Sequence, residues 1–474
     1  MRSRSTAVLA LALSAVLAAS GGATAAAAPT PPSAPHRPGP VLADPHPCAG
    51  KPGYTCSFLT VPLDHRRPGR ETLRLQVATA DNVEAPKGVL LFLTGGPGQP
   101  GVPFVDGVAA RLPEVAKNYR LVMIDQRGTG EFGAIDCPGL QAQVGTSDIE
   151  PPTPEAIDEC ARVLGDRRHY YTTDQTVGDL DLLRRALGVR QWTVDGVSYG
   201  TKTGAHYAAF HPENVRRLVL DSVLPHVDQG RDDLLYAASL RATGRVLRDA
   251  CRTAPACGFD PAKDLAWLAG HRKDAVLVWD MLVTYEFVDP TFRDAGALPG
   301  GAGDAVAAVH EARHGDPARL DRLLQILNSG GEDRRIYSAG LHIATACGDG
   351  WFPWGTSETR PARRAAALER VRRTLPARAT WPFTADTAVG NGFVQECLRW
   401  PWARHTTEAP PKISVPTLLV NGDRDLSTPL EWAYEELRRI PRGELVVVKG
   451  SAHSIQYGER GTKGREAVNR FLNG

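Results

Sequence analysis

Short apolar runs rich in β-branched residues alternate with segments of helical periodicity over the first half of the chain. Runs of this kind predict strands, and their alternation with helices predicts a mostly parallel sheet covered by helices. The predicted strands are residues 58–62, 73–80, 89–94, 120–125, 192–197 and 217–223. We therefore assign the chain to the α/β class.

The strand pattern stops near residue 225 and returns near residue 417. A connection of this length is far longer than an ordinary loop, so it must carry structure of its own. Its helical stretches include residues 232–251 and 361–375. Gly/Pro-rich segments such as residues 298–303 and 351–355 divide the helical stretches. We interpret residues 226–411 as a large, mainly helical cap.

The cap is expected to be an insertion within one core, formed by residues 48–225 and 412–474. The second part of the core contains two predicted strands and a closing helix, at residues 417–421, 444–448 and 463–472. Two tandem domains are the alternative. The insertion is favoured because the C-terminal part is too short to close a sheet alone.

The N-terminus has the pattern of a signal peptide. Arg2 and Arg4 precede an apolar run at residues 7–19, which is shorter than the roughly 18 residues that span a bilayer. Residues 1–28 are therefore expected to be removed on export, with an uncleaved anchor as the alternative. Residues 29–47 are rich in proline and predict a flexible entry or pro-segment outside the core. The mature protein is expected to be extracellular.

The composition is that of a soluble globular enzyme, with 474 residues, 42% hydrophobic and 23% charged. These values exclude a disordered chain, a collagen-like fibre and a coiled coil. The formal net charge of +2 provides no electrostatic attraction to nucleic acid. We expect a monomer with no nucleic-acid partner and, after signal cleavage, no membrane partner.

Eight cysteines lie outside the predicted signal peptide, an even number that suits disulfide pairing after export. Eight cysteines allow on the order of a hundred pairings, so the sequence alone does not fix the connectivity. Spacing favours Cys48 with Cys56, Cys137 with Cys160, Cys251 with Cys257 and Cys347 with Cys397. We expect neither a metal site nor another cofactor, on the interpretation that the chain has neither a CxxC pair nor a His-Glu-x-x-His motif.

Residues 196–200 read Gly-Val-Ser-Tyr-Gly and stand between a predicted strand and a helical pattern. A G-x-S-x-G sequence at such a junction forms a sharp turn that requires the glycines and exposes the serine hydroxyl. The positive end of the following helix favours an anion beside it. Ser198 is therefore the candidate nucleophile, and an ordinary turn residue is the alternative.

A serine nucleophile needs an imidazole to accept its proton and a carboxylate to orient that imidazole. His453 follows the last predicted strand, where the chain order serine, acid, histidine requires the base. Asp423 and Asp425 follow the preceding strand and compete for the role of the acid. Asp425 is favoured because it lies deeper in the turn, whereas Asp423 is able to pair with Arg424 or to cap the turn.

Acyl transfer also needs backbone donors for the oxyanion. The glycine-rich residues 94–98 follow a predicted strand, and we expect the N–H groups of Gly96 and Tyr199 to be those donors. Residues 125–130 follow the next strand and are interpreted as support for the glycine loop. The alternative, which is favoured for this segment, is a structural ion pair between Asp125 and Arg127.

Together these motifs resemble those of a known family. The matching motifs are Gly-Gly-Pro-Gly at 95–98, Asp-Gln-Arg-Gly-Thr-Gly at 125–130, Gly-Val-Ser-Tyr-Gly-Thr at 196–201, Gly-Asp-Arg-Asp-Leu-Ser-Thr-Pro at 422–429 and Gly-Ser-Ala-His at 450–453. They are similar to motifs of the secreted tripeptidyl and prolyl aminopeptidases of the α/β-hydrolase superfamily, over roughly residues 48–474 with a loose match in the cap. The resemblance implies an α/β-hydrolase fold and an exopeptidase with Ser198, Asp425 and His453 as its triad.

An enzyme of this kind must bind a substrate ammonium group, and a part-buried carboxylate of the cap is the expected partner. Asp349 and Glu396 are the candidates because a bridge between Cys347 and Cys397 would bring them to one place. Aromatic residues of the cap are expected either to line a pocket or to form the core of the cap. They are Trp351, Phe352, Trp354, Trp400 and Trp402.

The favoured function is a secreted serine exopeptidase that releases short N-terminal peptides, of tripeptidyl type and with proline as an option before the scissile bond. Three alternatives stay open. A prolyl aminopeptidase would release single residues, and a carboxylic ester hydrolase would use the same triad on another substrate. A catalytically silent binding protein is the least favoured, because all the expected catalytic residues are present.

Overall fold

The computed structural model describes residues 39–143, 149–227, 235–252, 257–293, 303–327, 331–405 and 410–474. Residues 39–474 form one unit. The predicted signal peptide lies outside the described residues, as do the beginning of the predicted helical stretch 232–251 and most of the segment 298–303.

In the described residues nine strands form one sheet, in the order β1-β2-β3-β5-β4-β6-β7-β8-β9. They are β1 Leu42–Pro47, β2 Tyr54–Pro62, β3 Thr72–Ala80, β4 Val89–Leu93, β5 Arg120–Ile124, β6 Trp192–Val197, β7 Val215–Asp221, β8 Thr417–Gly422 and β9 Gly443–Val448. β1, β2, β3 and β5 pair antiparallel, and all pairs from β5 through β4 to β9 are parallel. The sheet is therefore mostly parallel, as predicted.

The described residues contain helices on both faces of the sheet and in the insertion. They are α1 Val105–Arg111, α2 Pro113–Asn118, α3 Gly130–Gly133, α4 Pro138–Gln141, α5 Pro154–Leu164, α6 Thr173–Ala186, α7 Tyr199–Phe210, α8 Ala237–Arg252, α9 Pro261–His271, α10 Ala275–Val288, α11 Ala305–Arg313, α12 Ala318–Leu327, α13 Ala339–Asp349, α14 Pro361–Thr374, α15 Ala385–Val389, α16 Gly392–Arg399, α17 Leu430–Leu437, α18 Ile455–Gly458 and α19 Lys463–Asn473.

An apolar cluster lies on each face of the sheet. α6, α7 and α17 pack on one face, and α1, α2 and α19 pack on the other. β6 and β8 are buried at every position because helices cover both of their faces. Parallel strands buried in this way have continuous apolar sequences, which is why the pattern of the sequence identifies them.

The predicted cap lies between β7 and β8 and contains α8 to α16 in the described residues. One apolar cluster of the cap is formed largely by α8 to α12. A second cluster joins α13, α14 and α16 to α5, which precedes β6 in the chain. The layer above the sheet therefore uses two separate parts of the chain, whereas the sequence assigned the segment of α5 to the core.

The structure differs from the expectation for residues 29–47, because residues 42–47 form β1. This strand pairs antiparallel with β2 at the edge of the sheet. Its side chains are exposed except for Leu42, which is partly buried. An exposed edge strand carries no alternating apolar pattern and tolerates proline, so no pattern in the sequence predicts it.

The eight cysteines form four disulfides with the pairing that the spacing favours. The bridges are Cys48–Cys56, Cys137–Cys160, Cys251–Cys257 and Cys347–Cys397. The last of them joins α13 to α16 within the cap. Over the part of the chain that the structure describes, no helix is both long and apolar enough to cross a bilayer.

Candidate active site

Ser198 occupies the turn between β6 and α7, with φ 57° and ψ −125°. This backbone conformation is strained for a residue with a side chain. The flanking glycines make the turn possible, because a Cβ on Gly196 would lie 2.3 Å from the carbonyl oxygen of Gly200. A Cβ on Gly200 would lie 2.4 Å from the carbonyl oxygen of Leu93. The turn therefore has the shape of a G-x-S-x-G elbow and leaves Ser198 partly exposed.

Asp425 and His453 are in direct contact. Nδ1 of His453 donates to the carboxylate of Asp425, at 3.0 Å from Oδ2 and 3.1 Å from Oδ1. Asp425 is fully buried after β8, and 6% of the His453 side chain is exposed after β9. Asp423 instead accepts the N–H of Gly450 at 2.7 Å, and Arg424 pairs with Asp249. Of the two competing aspartates, the structure brings Asp425 to the histidine.

Thr428 supports the acid and was not singled out from the sequence. Its N–H and its hydroxyl donate to Oδ1 and Oδ2 of Asp425 at 2.6 and 2.8 Å. Its hydroxyl also lies 3.1 Å from Nδ1 of His453. The signal in the sequence was a threonine three residues after an aspartate, a spacing that closes local side-chain turns.

The nucleophile turn and the histidine loop both attach to the end of β7. The N–H of Ser198 donates to the carbonyl oxygen of Asp221 at 2.9 Å. The N–H of Ser454, next to His453, donates to Oγ of Ser222 at 2.7 Å. The Asp221 carboxylate accepts the next two N–H groups of the loop, at 2.9 and 2.7 Å. Serine and histidine are thus attached to consecutive residues of one strand end.

The glycine loop lies against the nucleophile. A Cβ on Gly95 would lie 2.9 Å from Cβ of Ser198. Gly96 has φ +105°, a conformation that side chains rarely adopt. Gly96 and Tyr199, the two predicted oxyanion donors, line the same cavity. The two predicted donors therefore lie beside one cavity next to the nucleophile turn.

The cap contacts the glycine loop directly. The N–H of Ser338 donates to the carbonyl oxygen of Gly98 at 2.9 Å. Nδ1 of His342 lies 3.1 Å from the carbonyl oxygen of Pro97. A Cβ on Gly98 would lie 2.8 Å from the carbonyl oxygen of Ser338, so the loop and the cap meet without room for a side chain.

The segment 125–130 supports the glycine loop from the core. The buried carboxylate of Asp125 accepts the N–H groups of Gly101 and Val102 at 3.0 and 2.8 Å. Arg127 pairs with Asp179 at 2.7 Å rather than with Asp125. The first interpretation of this segment therefore fits the contacts, and the alternative Asp125–Arg127 ion pair is wrong.

Glu286, on cap helix α10, is a second carboxylate beside the Asp425–His453 pair. It is buried and accepts the N–H groups of Leu426 and Ser427 at 2.6 and 3.0 Å. The Ser427 hydroxyl donates to it at 2.6 Å. One ligand atom from each of Glu286, Asp425 and His453 lies within 4.8 Å of the others. The sequence reasoning missed Glu286, although an acid in a helix that is apolar at most positions was a visible signal.

Burial and neighbouring charges shift several pKa values at this site. Burial raises the pKa of Glu286 to about 8, and the Asp425 carboxylate adds to the increase. Burial alone would lower the pKa of His453, but the charges of Asp425, Glu286 and Asp221 outweigh it and raise the pKa to about 9. Burial raises the pKa of Asp221 to about 6. The imidazole therefore holds its proton more firmly than an ordinary histidine.

A cavity with about 680 Å³ of empty space opens beside the nucleophile turn. Its aromatic walls come from both the core and the cap: Tyr199, Tyr236, Trp351, Phe393 and Trp432. The aromatic residues named from the sequence divide between the two expected roles. Trp351 lines the cavity, whereas Phe352, Trp354 and Trp400 are buried in the cap. Trp402 is 43% exposed and belongs to neither group.

The two candidate amine partners occupy different positions. Asp349 lines the cavity, and its Oδ2 accepts the N–H and the hydroxyl of Thr173 at 2.7 and 2.6 Å. Glu396 is buried in α16 and is not among the described residues of the cavity wall. Lys202 lines the same cavity, so the wall contains one carboxylate and one ammonium group.

Two family models match the chain. One, described as alpha/beta hydrolase fold, matches residues 88–299, and one, described as TAP-like protein, matches residues 382–474. Both matches agree with the sheet order and with the positions of the elbow and the acid and histidine loops. The chain has an α/β-hydrolase fold.

Relatives of this chain include named peptidases. A tripeptidyl aminopeptidase of Streptomyces lividans is 35% identical over 204 residues, 39% of this chain and 37% of the relative. The serine protease Hip1 of Mycobacterium tuberculosis (strain ATCC 25618 / H37Rv) is 27% identical over 455 residues, 85% of this chain and 82% of the relative. A probable proline iminopeptidase of Streptomyces coelicolor is 34% identical over 133 residues, 28% and 32% of the two chains.

The matched region spans 37% of the length of the Streptomyces lividans relative. These named relatives make the chain similar to the peptidase branch of the α/β-hydrolases. Solved structures that it resembles include an esterase from Exiguobacterium antarcticum, with 15% identity and a TM-score of 0.39. That match covers 85% of this chain and 96% of the esterase chain.

Proposed function

We propose that this hydrolase is a secreted serine exopeptidase that cleaves peptide bonds near a free N-terminus and releases short N-terminal peptides. The observation that carries the proposal is the combination of the Ser198 elbow and the Asp425–His453 contact with a cavity that contains Asp349. The first two features suit acyl transfer, and the third suits an ammonium group. The similarity to named peptidases supports the same substrate class.

In the proposed mechanism Ser198 attacks the scissile carbonyl and His453 takes its proton through Nε2, because Nδ1 is engaged by Asp425. Asp425 orients the imidazole and stabilises the imidazolium that forms. The N–H groups of Gly96 and Tyr199 stabilise the oxyanion. His453 then protonates the leaving amine, and water releases the acyl group by the same steps.

We propose Asp349 as the anchor of the substrate ammonium, since it lies in the cavity wall. Glu396 is the second candidate, because its helix α16 also contributes Phe393 to the wall. The cavity that contains Asp349 also contains Tyr199, the neighbour of Ser198, so a substrate fixed at Asp349 would place a bond a few residues from its N-terminus at the nucleophile. The aromatic walls suit apolar or prolyl side chains.

The test compares kcat/KM for a chromogenic Ala-Ala-Pro anilide with that for its N-acetylated twin. Acetylation leaves the anchoring carboxylate without its charge partner, at a cost of about 2 to 5 kcal/mol, or roughly thirty-fold to several-thousand-fold in rate. We expect a ratio in this range for the wild type. Asp349→Asn should bring the ratio toward one, while Glu396→Gln, which tests the second candidate, should leave it high.

A ratio near one in the wild type would overturn the exopeptidase proposal and favour an esterase or an endopeptidase. The serine mechanism is tested separately by rapid labelling with a fluorophosphonate, which only an activated serine undergoes. Ser198→Ala should abolish both labelling and turnover. An unlabelled wild-type protein would instead indicate a silent binding protein.

A further inference from the structure

A second group of metal-ligating side chains lies in the cap, apart from the proposed triad. His310 and His314 stand four residues apart at the end of α11, and Asp264 comes from the neighbouring helix α9. One ligand atom from each residue lies within 4.8 Å of the others. The expectation that the chain has no His-Glu-x-x-His motif is wrong, because residues 310–314 read His-Glu-Ala-Arg-His.

Local contacts orient the two imidazoles as metal ligands usually are. Nδ1 of His310 donates to Oδ2 of Asp264 at 2.7 Å, and Nδ1 of His314 donates to the carbonyl oxygen of His310 at 2.8 Å. For His314 this bond fixes the tautomer and leaves Nε2 with its lone pair. For His310 a bound ion would replace the proton between Nδ1 and Oδ2 of Asp264, so that both of these atoms would be ligands. The ring of Phe259 stacks on His310 with 3.7 Å between centroids, which restricts rotation of the imidazole.

The three side chains of this group are accessible to solvent to different degrees. The His310 side chain is 33% exposed, that of Asp264 is 14% exposed, and His314 is exposed. The neighbouring charges are otherwise engaged. Arg313 lies over the ring of Trp267 at 4.1 Å, and Glu311 pairs with Arg319 at 2.9 Å.

We propose that Asp264, His310 and His314 bind a divalent transition metal ion, most favourably Zn²⁺, that joins α9 to α11. Two imidazoles and one carboxylate are a donor set that suits zinc, with water completing the coordination. The His-Glu-x-x-His spacing is also that of metallopeptidases, in which the glutamate is the general base. Here Glu311 is held by Arg319, so the ion is a structural brace of the cap and not a second catalytic centre.

The test is calorimetric titration of the chelator-treated full chain with ZnCl₂ at pH 7.5, where imidazole is mostly neutral. We expect one equivalent to bind and the melting temperature to rise with zinc. His314→Gln should weaken binding by at least about tenfold, because it removes one ligand. This variant should fold, since His314 is exposed and its Nδ1 bonds to its own helix.

His271→Gln is the matched control. His271 also ends a helix and donates through Nδ1 to the carbonyl oxygen four residues earlier, at 2.7 Å, but it lies outside the group. The affinity of the His271→Gln variant for zinc should equal that of the wild type. Zinc binding must also persist in His453→Gln. This variant removes the histidine of the other group of possible ligands, which consists of Glu286, Asp425 and His453.

Copper provides an independent readout of the ligands. The electron paramagnetic resonance spectrum of bound Cu²⁺ should show coupling to two imidazole nitrogens in the wild type and to one in His314→Gln. The proposal is overturned if the wild type takes up no zinc at micromolar concentrations, or if His314→Gln and His271→Gln bind it equally well. Loss of binding in His453→Gln alone would assign the ion to the triad and would equally overturn it.

Discussion

Thr428 contacts both Asp425 and His453, the proposed partners of the serine nucleophile. At the scale of a single residue, removal of its hydroxyl should therefore lower the activity. Thr428→Val removes the 2.8 Å hydrogen bond to Asp425 but keeps the shape of the side chain and the backbone N–H bond. A hydrogen bond to a charged group contributes about 1.5 to 3 kcal/mol, so kcat/KM should fall by roughly ten-fold to 150-fold. Thr428→Ser, which keeps the hydroxyl, should retain most of the activity. Equal rates for the valine and serine variants, measured on folded protein, would show that the hydroxyl does not act in this way.

At the scale of elements, the sequence predicted best where one physical cause determines the pattern. β6 and β8 were predicted because burial on both faces makes their sequences rich in apolar and β-branched residues. The elbow, Asp425 and His453 were found because each follows a predicted strand. β1 was missed because its exposed side chains carry no pattern. Glu286 was visible as an acid in an apolar helix, but its contact with the loop after β8 depends on how the cap folds back, which no local pattern encodes.

Helix α10 connects the cap to the chemistry through Glu286, and this connection predicts a pH dependence. General-base catalysis needs neutral His453, and its pKa is raised to about 9 by neighbouring carboxylates that outweigh burial. The rate should therefore still be rising with pH above the ordinary histidine value of about 6.5. Glu286→Gln keeps an oxygen for the loop N–H groups but removes a negative charge, so the pKa of His453 should fall. The acidic limb of the profile of kcat/KM against pH should then move to lower pH.

Glu369→Gln serves as the control for this shift, because Glu369 lies exposed on α14 and pairs only with arginines of that helix. Its pH profile should match that of the wild type. A profile for Glu286→Gln with lower rates but an unchanged acidic limb would assign Glu286 a structural role alone.

At the scale of the whole molecule, the cap contacts the core at the loops that are expected to be catalytic. Ser338 and His342 contact the glycine loop, and Glu286 contacts the loop of the acid. The sequence predicted that a cap exists because a connection so long must fold, and it predicted the disulfide pairs from spacing. It did not predict these cap contacts, nor the packing of α5 with the cap, because they join residues far apart in the chain.

The Cys347–Cys397 bridge is the covalent link that holds α13, with Asp349, to α16. It closes a loop with a sequence separation of 50, whereas Cys251–Cys257 closes one of 6. Loop-closure entropy predicts a loss of about 4 kcal/mol of unfolding free energy on removing the first bridge and about 2 kcal/mol for the second. Replacing both cysteines of each pair by serine and measuring denaturant unfolding checks this order. Only the first double variant should also raise KM for the free-N-terminus anilide, because only that bridge holds the helix of Asp349; an equal rise in both would locate the effect in general loosening of the cap.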